Sequence, residues 1–193
     1  MSDYFLFVGL PYAALAIMLI GTILRYMNKG FTVSSLSTQF LEGNKLFWGS
    51  QPFHWGLMFL FFGHLIAFLF PASVIAFNGN PVRLIILEST AFMFGLLSLF
   101  GIILLVIRRI NNKRIQIVTS KMDMVVFVTL LVQIISGVWI AYFHRYGSTW
   151  FATSLTPYLK SIFAFTPDIS VISTMPLAVK IPIISAFSII GII

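Results

Sequence analysis

Long apolar runs, separated by polar or basic stretches, make up most of the chain. Five such runs extend over residues 5–24, 53–77, 89–107, 122–143 and 177–193. A helix rises about 1.5 Å per residue, so about 20 apolar residues cross the roughly 30 Å hydrocarbon core of a bilayer. The pattern therefore predicts an all-α integral membrane helix bundle, in which residues 1–193 form a single membrane domain with five transmembrane helices.

The fifth run is the shortest. Only 13 residues follow Lys180, and at about 1.5 Å each they reach about 20 Å, which is less than the thickness of a bilayer. A helix that ended within hydrocarbon would leave its last carbonyl groups without hydrogen-bond partners. We therefore expect the fifth helix to be incomplete in this sequence and to continue beyond Ile193.

Composition agrees with a membrane protein and excludes a soluble enzyme. Of the residues, 59% are hydrophobic and 9% are charged, whereas a soluble domain carries about 25% charged residues. The net charge of +7 comes from Lys and Arg residues that lie mainly between the apolar runs. The chain has no cysteine, so it cannot itself form a disulfide, a thiolate metal site or an iron–sulfur cluster.

The basic residues predict an orientation in the membrane. Eight of the 12 Lys and Arg residues lie in the segments that follow the first and third runs. Because cytoplasmic loops are enriched in Lys and Arg, we expect these two segments to face the cytoplasm. The prediction is a multi-pass protein of the cell membrane with its N-terminus outside.

The connection between the fourth and fifth runs, residues 144–175, is rich in Trp, Tyr and Phe. Such amphipathic rings collect at the bilayer interface. We interpret the connection as a segment that lies along the membrane surface. The alternative is a lid over a lipid-facing site.

Two histidines within the second run are the strongest candidates for chemistry. An ionisable side chain in a membrane span is costly and usually faces the bundle interior. His54 and His64 are ten residues apart, which places them about 15 Å apart along a helix, on faces about 80° apart. They are too distant to share one metal, but each could serve a separate centre. Neutral imidazole is a good ligand of haem iron; a purely structural role is the alternative.

Glycines lie beside these histidines and on neighbouring runs. They are Gly63, Gly95, Gly101 and Gly137. Each could let a flat macrocycle approach the backbone, and each is equally explained by close helix packing in lipid. Gln133, within the fourth run, is expected to hydrogen-bond another helix.

Several short motifs occur in an order that is found in a known family. They are Leu24-Arg25-Tyr26, Phe53-His54, Gly63-His64, Arg108-Arg109 and Lys180-Ile181. Over its whole length the sequence resembles the gamma subunit of respiratory nitrate reductase, which is the cytochrome b membrane subunit of a quinol-oxidising complex. The spacing of the two histidines is the most specific part of this resemblance.

The resemblance implies two b-type haems, each held by one histidine of the second helix and one of the fifth. His54 would ligate the iron of the inner haem and His64 that of the outer haem. Quinol would be oxidised near the outer haem. Apart from the resemblance, Arg83 and Glu88 lie near the outer end of the third run, where they are candidates either for contact with the quinol headgroup or for anchoring the third helix at the interface. Electrons would then reach an iron–sulfur beta subunit and a molybdenum alpha subunit in the cytoplasm.

The sequence departs from the family pattern at the start of the fifth helix. The family has a basic residue, an aliphatic residue and then a haem-ligating histidine, whereas this chain reads Lys180-Ile181-Pro182. Proline has no ligating side chain, so we expect haem occupancy to be low. The alternative function is a haem-poor membrane anchor with no electron transfer of its own. A small transporter is disfavoured because the other ionisable residues lie at the ends of the runs.

Overall fold

A computed structural model describes residues 2–29, 44–144 and 147–192, and most of these residues are helical. The principal helices are α1 (Leu10–Lys29), α2 (Asn44–Leu69), α3 (Pro71–Asn78), α4 (Pro81–Asn111), α5 (Lys121–Trp139), α6 (Thr156–Phe163) and α7 (Leu177–Ile192). Shorter helical turns are Ser2–Tyr4, Phe5–Gly9, Lys113–Ile117, Ile140–His144, Gly147–Trp150, Phe151–Leu155 and Ser170–Ser173.

Four helical segments among the described residues are long and apolar enough to cross a membrane. They are Phe5–Asn28, Leu46–Leu69, Pro81–Asn111 and Lys121–Phe143. The apolar helix α7 has 16 residues and is shorter. The predicted all-α membrane helix bundle is therefore confirmed, with four long helices and a shorter fifth in the described part of the chain.

Proline and cap residues place some helix ends where the apolar pattern does not. The described part of α2 includes Asn44, nine residues before the second apolar run starts at Phe53; residues 30–43 lie outside the described residues. The second run is interrupted before Pro71, whose fixed φ suits the first turn of α3. α4 begins at Pro81 rather than at 89 because the Asn80 side chain accepts a hydrogen bond from the N–H of Val82 at 2.9 Å.

The long helices pack side by side in the order α2, α4, α5, α7 and α1. The most extensive contact joins α2 and α4, where glycines bring the two backbones together. A Cβ atom on Gly56 would lie 2.5 Å from the hydroxyl oxygen of Ser98, and one on Gly101 would overlap the backbone nitrogen of Phe53. Small residues permit such close contact between membrane helices, so α2 is held rigidly against α4.

The aromatic connection is a packed part of the fold. Tyr158 and Ile162 are almost fully buried together with Phe7 and residues of α7. The Tyr158 hydroxyl donates a hydrogen bond of 2.7 Å to the backbone oxygen of Phe7, and the Tyr12 hydroxyl donates one of 3.0 Å to that of Ile162. The connection therefore covers the end of the bundle at which α1 and α7 begin, which its interpretation as a surface segment did not predict.

An ion pair ties the same end together. The Lys180 ammonium lies 3.1 Å from a carboxylate oxygen of Asp3 and donates a hydrogen bond of 2.9 Å to the backbone oxygen of Ser173. It also lies 5.7 Å from the centre of the Phe7 ring. Because the Lys180 side chain is only 13% exposed, water screens these interactions less than at an open surface.

Replacing Tyr158 by phenylalanine should lower the free energy of unfolding at neutral pH. It should also abolish the part of the wild-type protein's destabilisation at alkaline pH that comes from ionisation of this phenol. Burial, and secondarily the nearby Tyr12, raise the pKa of Tyr158 far above its usual value. The stabilisation of the neutral phenol is fully present below the unfolded pKa of about 10 and is lost as pH rises above it. Phenylalanine would leave the buried Phe7 carbonyl without its donor, at a cost of about 1–3 kcal/mol.

Thermal unfolding in detergent at about pH 8 and about pH 11, on either side of the ordinary tyrosine pKa, measures both effects. Tyr142→Phe is the control because the Tyr142 side chain is 65% exposed. A Tyr158→Phe protein that kept both the wild-type stability and the wild-type alkaline loss would contradict this account.

Candidate functional site

Both candidate histidines lie on α2, and their ring nitrogens are arranged in the same way. The Nδ1 atom of His54 is 2.8 Å from the backbone oxygen of Ser50, and that of His64 is 2.7 Å from the backbone oxygen of Leu60. A carbonyl oxygen only accepts hydrogen bonds, so each Nδ1 carries the proton. In the neutral imidazole with this tautomer, the Nε2 atom keeps its lone pair.

A free Nε2 lone pair with a bonded Nδ1–H is the usual arrangement of a metal-ligating histidine. Within the described residues no hydrogen bond reaches the Nε2 atom of His54 or His64. No cluster of three or more His, Cys, Asp or Glu side chains with the geometry of a metal site occurs in this part of the chain. A neutral imidazole in this arrangement is chemically able to ligate a haem iron.

The two histidines have different surroundings. The His64 ring meets the Phe151 ring edge to face, with centroids 4.7 Å apart, and the neighbouring Gly63 faces open space. The Nδ1 atom of His54 lies 3.1 Å from the Ser50 hydroxyl oxygen on the preceding turn. His64 is thus supported by the connection, whereas His54 is supported by its own helix.

Sequence reasoning identified both histidines and missed these supporting residues. Ser50 could have been found, because residues four apart on a helix are neighbours. Phe151 is distant in sequence from His64, and nothing in its local pattern distinguishes it from the other aromatic residues of the connection.

Position 182 lies inside α7, on its second turn. Proline there cannot donate the helical hydrogen bond to the carbonyl of Ala178 and carries no metal ligand. α7 packs on α5 and α1, and its Ser185 hydroxyl hydrogen-bonds the side-chain oxygen of Gln133 on α5. The predicted helix-bridging role of Gln133 is confirmed.

Arg83 and Glu88 lie near the start of α4. Arg83 is exposed, and the central carbon of its guanidinium group lies 5.6 Å from the centre of the Phe77 ring of α3, which is a cation–π distance. Glu88 is half-buried. Since α2 ends and α4 begins on the same side of the bundle, both residues lie towards the end of α2 that holds His64.

Basic residues mark the opposite end of α4. Lys113, Arg114 and Lys121 are exposed there. Arg109 instead pairs with Asp123, with 3.6 Å between their closest nitrogen and oxygen atoms. At this end of α4, Lys113, Arg114 and Lys121 therefore offer positive charge to a partner.

Residues 3–193 match the family described as the nitrate reductase gamma subunit. The chain belongs to this family. It is 32% identical over 191 residues to the nitrate reductase gamma chain of Bacillus subtilis (strain 168), an alignment that covers 97% of this chain and 85% of that protein. The resemblance inferred from the motifs is thereby confirmed.

Two gamma chains of Escherichia coli (strain K12) are also similar. The respiratory nitrate reductase 1 gamma chain is 30% identical over 136 residues, which cover 70% of this chain and 60% of that protein. The respiratory nitrate reductase 2 gamma chain is 29% identical over 128 residues, which cover 66% of this chain and 57% of that protein. As a member of the gamma subunit family, the chain is the membrane subunit of an oxidoreductase complex, which implies partner catalytic subunits.

Proposed function

We propose that this protein is the cytochrome b subunit of a respiratory nitrate reductase in the cell membrane. In this role it oxidises quinol and passes electrons through two b haems to a cytoplasmic iron–sulfur beta subunit and a molybdenum alpha subunit. The observation that carries the proposal is the pair of histidines on α2, each with its Nδ1 atom within hydrogen-bond distance of a backbone carbonyl of its own helix. When bound, haem supplies one-electron transfer.

In this proposal the chain positions the two ligands. His54 would ligate the iron of the inner haem, and His64 would ligate that of the outer haem. The bond from each Nδ1–H to a backbone carbonyl orients the ring and makes Nε2 a stronger donor. The close α2–α4 contact at Gly56 and Gly101 keeps both histidines on one rigid helix, so their separation stays constant.

Quinol is proposed to be oxidised at the end of the bundle that holds His64. Arg83 and Glu88 lie towards this end and offer a hydrogen-bond donor and an acceptor to the quinol headgroup. In the proposed orientation this end, with the N-terminus, faces the outside. The exposed Lys113, Arg114 and Lys121 then face the cytoplasm and the partner subunits, as the enrichment of basic residues in cytoplasmic loops favours.

Pro182 favours a second candidate function, a membrane anchor that holds little or no haem. The resemblance implies a ligating histidine where this chain has Pro182, and proline offers no ligand to a haem iron. In this alternative the chain holds the partner subunits at the membrane without conducting electrons.

An optical spectrum of the detergent-purified chain, reduced with dithionite minus oxidised, separates the two functions. With a pyridine haemochrome assay it gives the number of haems per chain. A cytochrome b subunit should show b-type bands; His54→Asn and His64→Asn should each remove part of them, and the double variant all of them. His144→Asn is the matched control and should retain the wild-type spectrum.

Absence of b-type bands from the wild-type chain would favour the anchor. Bands that persist in the double variant would show that other residues hold the haem and would refute the assignment of His54 and His64.

A further inference from the structure

The connection between α5 and α7 contacts α2 along the half of that helix that carries His64. The Phe151 ring packs against the His64 ring with centroids 4.7 Å apart and planes 79° apart. Thr156 is only 1% exposed, and its hydroxyl donates a hydrogen bond of 3.3 Å to the backbone oxygen of Ala67. This bond, one turn beyond His64, fixes the connection on α2.

Phe151 is held at this place by the backbone as well as by its ring. It begins a π-helical turn, Phe151–Leu155, that leads directly into α6. Such turns are rare and occur frequently at functional sites. Because Ala152 and Leu155 of the same turn are buried, the turn cannot rotate without disturbing the core beneath the connection.

The contact with Phe151 restricts tilting of the His64 ring, which the hydrogen bond of that ring does not prevent. The bond from Nδ1 to Leu60 fixes one atom of the imidazole, and the terminal torsion of a histidine side chain is otherwise broad. An aromatic edge against the ring supplies a second point of contact and limits its tilt. The His54 ring makes its own edge-to-face contact within α2, with the Phe53 ring at a centroid distance of 5.5 Å. Among the described residues it has no aromatic contact with the connection, and the Ser50 hydroxyl lies beside its Nδ1.

We propose that Phe151 is a positioning residue for His64, through which the connection sets the direction of the His64 Nε2 lone pair independently of His54. The inference rests on the proposed function, because it concerns the orientation of a haem ligand. It predicts that the two histidine sites respond to different parts of the chain: the His64 site to Phe151 and the His54 site to Ser50.

Nuclear magnetic resonance of the haem-free chain in detergent micelles, labelled with ¹³C and ¹⁵N on histidine only, tests the positioning directly. His54→Asn and His64→Asn assign the ring signals. Phe151→Leu should shift the His64 ring ¹⁵N signals, which respond mainly to protonation and hydrogen bonding, because a ring that is free to tilt weakens the Nδ1–H bond to Leu60. The His54 ring signals should stay in place. Phe151→Tyr retains an aromatic edge and should restore the signals towards their wild-type positions.

Ser50→Ala is the matched control for the other site, and it should shift the His54 signals alone. His64 signals that stay in place in Phe151→Leu would overturn the proposal, as would equal shifts of both histidines. If Phe151→Leu does not fold, Phe151→Met makes the same comparison with an unbranched side chain.

Haem-loaded protein separates failure of this inference from failure of the proposed function. Where the wild-type chain binds haem b, Phe151→Leu should shift the midpoint potential of the haem that His64→Asn removes and leave the other unchanged. An unchanged potential for both haems would overturn the inference and leave the proposed function standing. If the wild-type chain binds no haem, the proposed function fails, and the histidine signals alone decide whether Phe151 orients His64.

Discussion

Replacing Gly101 by alanine should strongly destabilise the helix bundle, whereas replacing Gly63 should have little effect. A Cβ atom on Gly101 would overlap the backbone nitrogen of Phe53 and lie 2.7 Å from the backbone oxygen of Gly49. Backbone atoms cannot rotate away as the end of a flexible side chain can, so α2 and α4 would have to move apart. Overpacking typically costs about 1–3 kcal/mol, and we expect the upper end of that range.

Gly63→Ala is the matched control because it makes the same chemical change on α2. No atom lies within 4 Å of the position that its Cβ would occupy. Alanine also favours a helix over glycine by about 1 kcal/mol in soluble hosts, so this variant should be neutral or slightly stabilised. Thermal unfolding in detergent, followed by circular dichroism, measures both changes, and equal losses in the two variants would contradict the α2–α4 contact.

This pair of glycines also shows where sequence reasoning reaches its limit. Both belong to helices that the apolar runs predicted, because hydrophobic length is a local property of the chain. The choice between helix packing and approach of a macrocycle was left open for both. Gly101 packs against α2, whereas Gly63 faces open space. This difference depends on which helices become neighbours and on how each helix is rotated about its axis. The residues next to a glycine in the sequence determine neither the neighbouring helix nor the rotation.

The connection shows the same limit for aromatic residues. Its Tyr, Trp and Phe content predicted a place at the membrane surface, since these rings favour the interface. The aromatic content does not predict that the Tyr158 hydroxyl donates to the backbone oxygen of Phe7 or that Tyr158 is almost fully buried. That burial depends on a contact between residues 151 positions apart in the chain. An amphipathic ring satisfies its polar group equally well at an interface or with a buried carbonyl.

At the candidate site, local features were predictable and long-range support was not. The positions of His54 and His64 within one helix followed from the apolar run around them. The hydrogen bonds from their Nδ1 atoms join residues four apart on that helix, which helical geometry permits at any such position. The contact of Phe151 with His64 required the folded connection.

Replacing Pro182 by histidine should increase the haem content of the chain at the His64 site. The resemblance to the gamma subunit family implies a ligating histidine at this position, and proline offers no metal ligand. Addition of a second axial imidazole should tighten haem binding at least tenfold, or by about 1.4 kcal/mol. Titration of the haem-free chain with haem, followed by the reduced-minus-oxidised spectrum, measures the change.

Two control variants separate ligation from the other consequences of this substitution. Pro182→Ala restores the backbone N–H that can bond to the carbonyl of Ala178, and replacing a proline in a helix interior can itself stabilise by up to about 3 kcal/mol. Ile181→His adds an imidazole about 100° away around α7. Ligation from position 182 requires that Pro182→His bind more haem than either control and that His64→Asn remove the gain. If Pro182→Ala gives the same increase in haem binding, the proline limits haem binding through the backbone of α7. If Ile181→His gives the same increase, a histidine at position 182 has no special alignment with His64.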